Sequence, residues 1–323
     1  MSTHIKRILV SIVFLFIFVG CEHRNIDDEI KIGISPWPGY EALVLGVEKE
    51  LFTGVNVRII RFSTPSESFK ALRDGTIDVA TFTADEVFHY AEVRDKPKIF
   101  LIMDVSNGGD AIVARPEIKS LDDLKGKRVA SEASALGEYV INRAMDFTNK
   151  VSINDITLSP VEIGNQENAY LQNKADAFVT YEPSKTKLLN AGAHVIFDSK
   201  MIPNEIVDVM VTNNHDLHEK RKQLSMVVNG WFEILKYINE NHDEAMSRMA
   251  SYEGLSKEEF ESAYSELLIP TLYDNKKMLG EGSGSLSKPL SRLSKLMYEK
   301  NSIKKEVNID DILDVSLVKK VKQ

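Results

Sequence analysis

Strands alternating with helices in two successive blocks predict an α/β protein of two lobes. From Glu29 to Val105, short β-branched runs alternate with amphipathic stretches. At Asp110–Arg115 an apolar run followed by Pro116 changes the texture, and the alternation then starts again. About 300 residues beyond a leader are enough for two domains of ordinary size. Such alternation places mainly parallel strands between layers of helix.

The elements follow in order. Lys31–Ser35 is a strand that Pro36-Trp37-Pro38-Gly39 breaks. Tyr40–Leu51 has apolar residues at Leu43, Val44, Val47 and Leu51, which is helical spacing. Strands at Asn56–Phe62, Asp78–Phe82 and Lys98–Val105 alternate with helices at Ser66–Arg73 and Asp85–Glu92. In the second block, Ser120–Gly126 is a capped turn that ends on Gly. Strands at Lys127–Ala130, Ile156–Val161, Ala177–Tyr181 and His194–Asp198 alternate with helices at Leu136–Phe147, Gln166–Asn173 and Pro183–Asn190. Glu205–Thr212 returns as a strand, and it and Asp110–Arg115 are the two expected crossings between lobes. Helices are then expected at Leu217–Asn239, Asp243–Tyr252, Lys257–Leu267 and Lys288–Lys300, with a Gly/Ser loop at Gly280–Ser287. The expected division is residues 29–112 with 209–300 as lobe 1, 113–208 as lobe 2, and 301–323 as a charged tail with a short helix at Ile309–Leu313.

Residues 1–20 read as an export signal and 21–28 as a polar tether. Lys6 and Arg7 precede twelve uncharged residues, Ile8–Val19. That length fits a secretory core of about 7–15 residues and falls short of a spanning helix of about 20. Phe18-Val19-Gly20-Cys21 resembles a bacterial lipobox, with Phe18 where Leu is usual. The resemblance implies cleavage before Cys21, acylation of that residue, and an exported protein held at the cell membrane facing outward. Cys21 is the sole cysteine, so no disulfide forms within the chain.

The chain carries 40 Lys and Arg against 48 Asp and Glu, a net charge of −8. Loss of residues 1–20 removes two of the basic residues and no acidic one. An acidic surface of this kind disfavours nucleic acid as a partner. Phosphate-loop, nucleophile-elbow and His-Glu-x-x-His patterns are all missing. His215 and His218 are spaced i, i+3 but have no third ligand in view, so no metal is expected.

In open α/β sheets ligands bind beyond the carboxyl ends of strands, against helix N-termini. That rule selects Trp37 and Tyr40 after the first strand, and Ser66 at a helix start. It also selects Thr83 and Asp85, then Asp104, then Glu132, Ser134 and Leu136. Tyr181 and Glu182 follow another strand, and Asp208 lies on the returning crossover. Pro36 and Pro38 stiffen the loop that carries Trp37, which is placed either to stack on a ligand or to plug the core. The acids, taken together, point to a ligand with a positive group or with both signs. No Lys or Arg among the strand-end positions would otherwise neutralise them.

Three segments carry a family resemblance: Lys31-Ile-Gly-Ile-Ser-Pro-Trp-Pro-Gly-Tyr40, Ala71-Leu-Arg-Asp-Gly-Thr-Ile-Asp-Val-Ala80 and Lys119-Ser-Leu-Asp-Asp-Leu-Lys-Gly-Lys-Arg-Val129. They resemble the solute-binding proteins of ABC transporters, in the nitrate, sulfonate and taurine branch. The resemblance implies a bilobal, type II periplasmic-binding fold with two crossover strands and a helical C-terminal region. It implies a monomer without cofactor or catalysis that captures a small polar, zwitterionic or sulfonate-like solute for a membrane permease. It also leaves room for a sensory subunit read by a membrane receptor, and for an enzyme on the same fold. The family expectation of an anionic ligand conflicts with the acidic strand ends. Cys21→Ser is expected to free the protein from membranes without changing ligand affinity. Loss of binding in that soluble form would show the thiol has been misread.

Overall fold

The computed structural model describes residues 29–93, 97–280 and 286–321. The signal, the tether, Cys21 and most of the Gly/Ser loop lie outside the described residues. Eleven strands are present among them: β1 (Glu29–Ile34), β2 (Asn56–Arg61), β3 (Val79–Thr83), β4 (Pro97–Ser106), β5 (Asp110–Ala114), β6 (Arg128–Ser131), β7 (Thr157–Pro160), β8 (Ala177–Tyr181), β9 (His194–Asp198), β10 (Val207–Asn213) and β11 (Leu267–Leu268). They form two sheets, ordered β11-β4-β10-β3-β1-β2 and β7-β6-β8-β5-β9. The α/β class and the two-lobed architecture are therefore as expected.

Two corrections concern the crossings. β5 pairs along its whole length with β8 and β9, and β10 with β3 and β4. Each strand belongs to one sheet, so boundaries at 112/113 and 208/209 would cut through strands. The chain instead changes lobe at Asn107–Gly109 and again between Asp198 and Val207. The sheets are also mixed rather than parallel. β1, β2 and β3 run parallel, as do β6, β7 and β8, but β10 and β5 are antiparallel to both of their neighbours. A strand arriving from the other lobe enters at the inter-lobe edge and runs away from it. Its first residue therefore sits beside the last residues of its neighbours.

Helices flank both sheets. On β5, Ile112 and Ala114 join the large core shared with the first lobe, whereas Ala111 and Val113 pack with Phe178 and Leu188 on the other face. The long helix expected at Leu217–Asn239 divides at Lys220 into Asn214–Glu219 and Arg221–Glu240. β11 and the helix Leu272–Met278 were not expected. The second has a readable start, because the Thr271 and Asp274 side chains form a capping box.

The expected tail is part of the first lobe. Ile303, Ile309, Ile312, Leu317 and Val318 are buried. Leu313 bridges to Ile99 on β4, and the Asp314 N–H donates to Ile99 O at 2.8 Å. The segment's lysines mask an apolar set that closes over β4. Leu317→Ala is expected to cost about 2–5 kcal/mol, as truncation of a fully buried Leu does. A urea denaturation midpoint equal to that of the unaltered protein would refute this packing role.

Candidate functional site

The site begins with a cross-strand row. Asp208, early on β10, is the register partner of Thr83 at the end of β3 and of Asp104 near the end of β4. Between Asp208 and Val209 the partner on β4 moves from Asp104 to Ile102, so Met103 is an extra residue in a bulge. Asn275 stabilises that irregularity. Its Oδ1 accepts the Ile102 N–H at 2.8 Å and its Nδ2 donates to Ile102 O at 3.0 Å. The sheet thus sets two aspartates side by side.

The loop after β1 packs onto this pair. The Trp37 indole N–H donates to the Asp104 carboxylate, 3.2 and 3.3 Å from its two oxygens. The Tyr40 hydroxyl donates to Asp208 Oδ1. Gly39 is required between them, since a Cβ there would lie 2.2 Å from Asp104 Oδ2. The second lobe adds Asp110 and Tyr181, paired across β5 and β8. The Tyr181 ring meets Trp37 edge-on at 6.2 Å, and its hydroxyl donates to Glu132 Oε2 at 3.2 Å. Trp37 packs into the core and also lines the cavity between the lobes.

The space between the lobes has two chambers. The inner one, about 20 Å³, is lined by Trp37, Tyr40, Thr83 and Asp208 from the first lobe and by Asp110, Leu136 and Tyr181 from the second, among others. The outer one, about 910 Å³, takes in Ser66, Glu132 and Ser134. Pro65 and Glu86 line both.

Asp104 stands behind Trp37 as its acceptor. Asp85 and Glu182 line neither chamber. Asp85 is buried at the start of the helix Ala84–Val93, whose next residue, Glu86, faces the cavities. Glu182 Oε2 accepts the Thr186 N–H at 3.0 Å and Oε1 lies 3.5 Å from Lys185 Nζ, so its carboxylate serves its own helix start. Strand-end reasoning missed Asp110 and Glu86. Asp110 opens a strand, and only the reversed direction of β5 brings it to the cleft.

Burial dominates the electrostatics. Asp104, Asp110 and Asp208 are 0, 1 and 2% exposed. Burial lifts the carboxyls of Asp104 and Asp110 each to about 7. It drives Asp208 well above the carboxylate range, with the charge of Asp104 adding to the effect. Burial and then the neighbouring Asp85 raise Glu86 likewise, and burial followed by Glu162 takes Glu132 to about 7. Among the described residues, no Lys or Arg forms an ion pair with any of these five. Lys185, whose charge reaches Asp110, donates to Gly108 O at 2.9 Å and pairs with Glu266 and Glu182.

Among the described residues, the cluster with metal-ligand spacing is His242, Asp243 and Glu261 on the helical region. Lys257 already pairs with that aspartate and glutamate, at 2.7 and 3.4 Å. His215 and His218 are exposed.

The raised carboxyls have a stability consequence. Their folded values exceed the unfolded ones, near 4, so their contribution is complete at low pH and is lost as pH rises through about 7. The ligand-free protein is expected to melt at a lower temperature at pH 8 than at pH 5. Asp110→Asn should reduce that fall and raise the pH 8 melting temperature by several degrees. A fall of the same size in the variant would contradict the assignment.

The sequence matches the NMT1-like family over residues 25–252. No curated protein matches it. Solved structures share the fold. The alkanesulfonate-binding protein SsuA from Xanthomonas axonopodis, bound to MOPS, superposes with a TM-score of 0.74 at 15% identity, over 87% of this chain and 96% of that one. The zinc-bound ligand-binding component of an ABC-type import system from Staphylococcus aureus gives 0.76 at 13% identity, over 91% and 99%. The desulfurization enzyme DSZB gives 0.68 at 14% identity, over 90% and 98%. The family match spans most of the chain, and the chain belongs to the NMT1-like family.

Proposed function

We propose that the chain is the solute-binding subunit of an ABC-type importer, exported and lipid-anchored through Cys21. It works as a monomer that delivers a small solute to a membrane permease. The observation that carries this reading is the inner chamber, which takes Tyr40, Thr83 and Asp208 from one lobe and Asp110, Leu136 and Tyr181 from the other. A ligand seated there touches both lobes at once. It binds the closed form better than the open one, and a partner can sense that difference. The fold relatives that bind sulfonates and serve ABC import point the same way. Among the described residues no helix is long and apolar enough to cross a membrane.

An enzyme on this fold is the competing reading, since DSZB shares it. Among the described residues, no nucleophile in the cleft is activated in the usual order. His89 Nε2 lies 3.2 Å from Ser302 Oγ at the mouth, but that hydroxyl also donates to Glu138 Oε2 at 3.3 Å. The carboxylate engages the serine rather than the histidine, contrary to a triad.

Melting of the purified protein against a compound library, with X-ray scattering in solution, tests the proposal. A solute at about a hundred times its Kd should add about 2.7 kcal/mol of apparent stability. It should also shrink the radius of gyration and be recovered unchanged. Trp37→Ala should weaken the effect at least tenfold. Chemical turnover of a bound compound would move the protein to the enzymes.

A further inference from the structure

Granting the solute-binding reading, we propose that the ligand is an organic amine whose primary ammonium head sits in the inner chamber while its apolar body fills the outer one. The inner chamber offers acceptors with nothing to accept. Among the described residues, Asp110 Oδ2 has no hydrogen-bond partner, and Asp208 Oδ2 meets no donor beyond a proton it can share with Asp104. Both side chains are almost fully buried and both line the chamber. Buried carboxylate oxygens without a donor are costly, and an ammonium group supplies both donors and the missing charge. Trp37, Tyr40 and Tyr181 complete the walls.

Size narrows the class. About 20 Å³ admits one water-sized group. A –NH3+ head fits that room and a trimethylammonium head does not. The body must then lie in the outer chamber, where Phe69, Phe82, Ile141, Ile153 and Leu158 supply apolar wall.

An oxyanion would find hydroxyls, Ser35 and the unpartnered Thr83, but no cationic side chain lining the inner chamber. The Trp37 N–H and Tyr40 O–H are engaged by Asp104 and Asp208. Side chains of the chain itself already cap the helix starts that face the cleft. Thr64 accepts the Glu67 N–H at 3.3 Å, Ser134 accepts the Gly137 N–H at 3.1 Å, and Glu86 accepts the Thr83 N–H at 3.1 Å. The inner chamber, with Asp110 and Asp208 in its wall, thus favours a cation over the sulfonate-like and anionic expectations.

Calorimetric titration at pH 8 with n-hexylamine, tetramethylammonium and hexanesulfonate tests the proposal on the full-length protein. Saturable binding of hexylamine, with neither of the others binding, is the expected result. Asp110→Asn and Asp208→Asn should each weaken it at least tenfold, and Glu167→Gln, on the surface, should leave it unchanged. Native-like melting of each variant shows that it has folded. Binding of hexanesulfonate, or of no amine, overturns the ammonium assignment. Recovery of a neutral or anionic solute from the purified protein would do the same while leaving the solute-binding reading intact. Hexylamine bound and then chemically altered would support the pocket and end the transport reading.

Discussion

Two aspartates held side by side in a sheet govern the rest of this molecule. Asp104 and Asp208 stand on adjacent antiparallel strands and are withdrawn from water. Like charges so placed repel, and neither finds a basic partner. The chain meets that cost locally. Trp37 and Tyr40 each turn a polar hydrogen toward one carboxyl, and this fixes the loop after β1. Gly39 exists to let the loop come close enough. At hinge residue Gly109 a Cβ would lie 2.7 Å from the Trp37 ring, so the crossover is shaped around the same indole. The carboxyl pair thus determines where the loop lies and, through it, how the lobes meet.

Much of this was legible in the residues. The order of strands and helices could be read almost throughout, because β-branched runs and i, i+3 spacing are local signals. The carboxyl-end rule found Trp37, Tyr40, Thr83 and Leu136 at the inner chamber. It failed where direction mattered. Asp110 precedes its strand and becomes a cleft residue only because β5 enters from the other lobe. Glu182 follows its strand as the rule asks, yet it is drawn to Lys185 and its own helix. A sequence shows which residues flank a strand and leaves unsaid which way the strand runs in its sheet.

The C-terminal segment shows a second limit. Its lysines suggested a solvated tail, yet the apolar residues between them cover β4, the strand that carries Asp104. Asn275, on a helix that propensity did not reveal, satisfies the backbone at the bulge beside that aspartate. Both contacts join residues far apart in sequence, and neither leaves a periodic trace. The helical additions therefore do more than thicken the first lobe. They hold the irregular strand geometry that presents the acids to the cleft.

The hydrogen ion that Asp104 and Asp208 can share lies in the wall of the inner chamber, behind Trp37. On the ammonium proposal, an arriving solute would displace it. Capture then becomes an exchange, with acid liberated to the surroundings for solute taken up. Occupancy of a receptor built this way follows the acidity outside the cell as well as the supply of nutrient, so the same concentration would be read differently in sour and neutral surroundings.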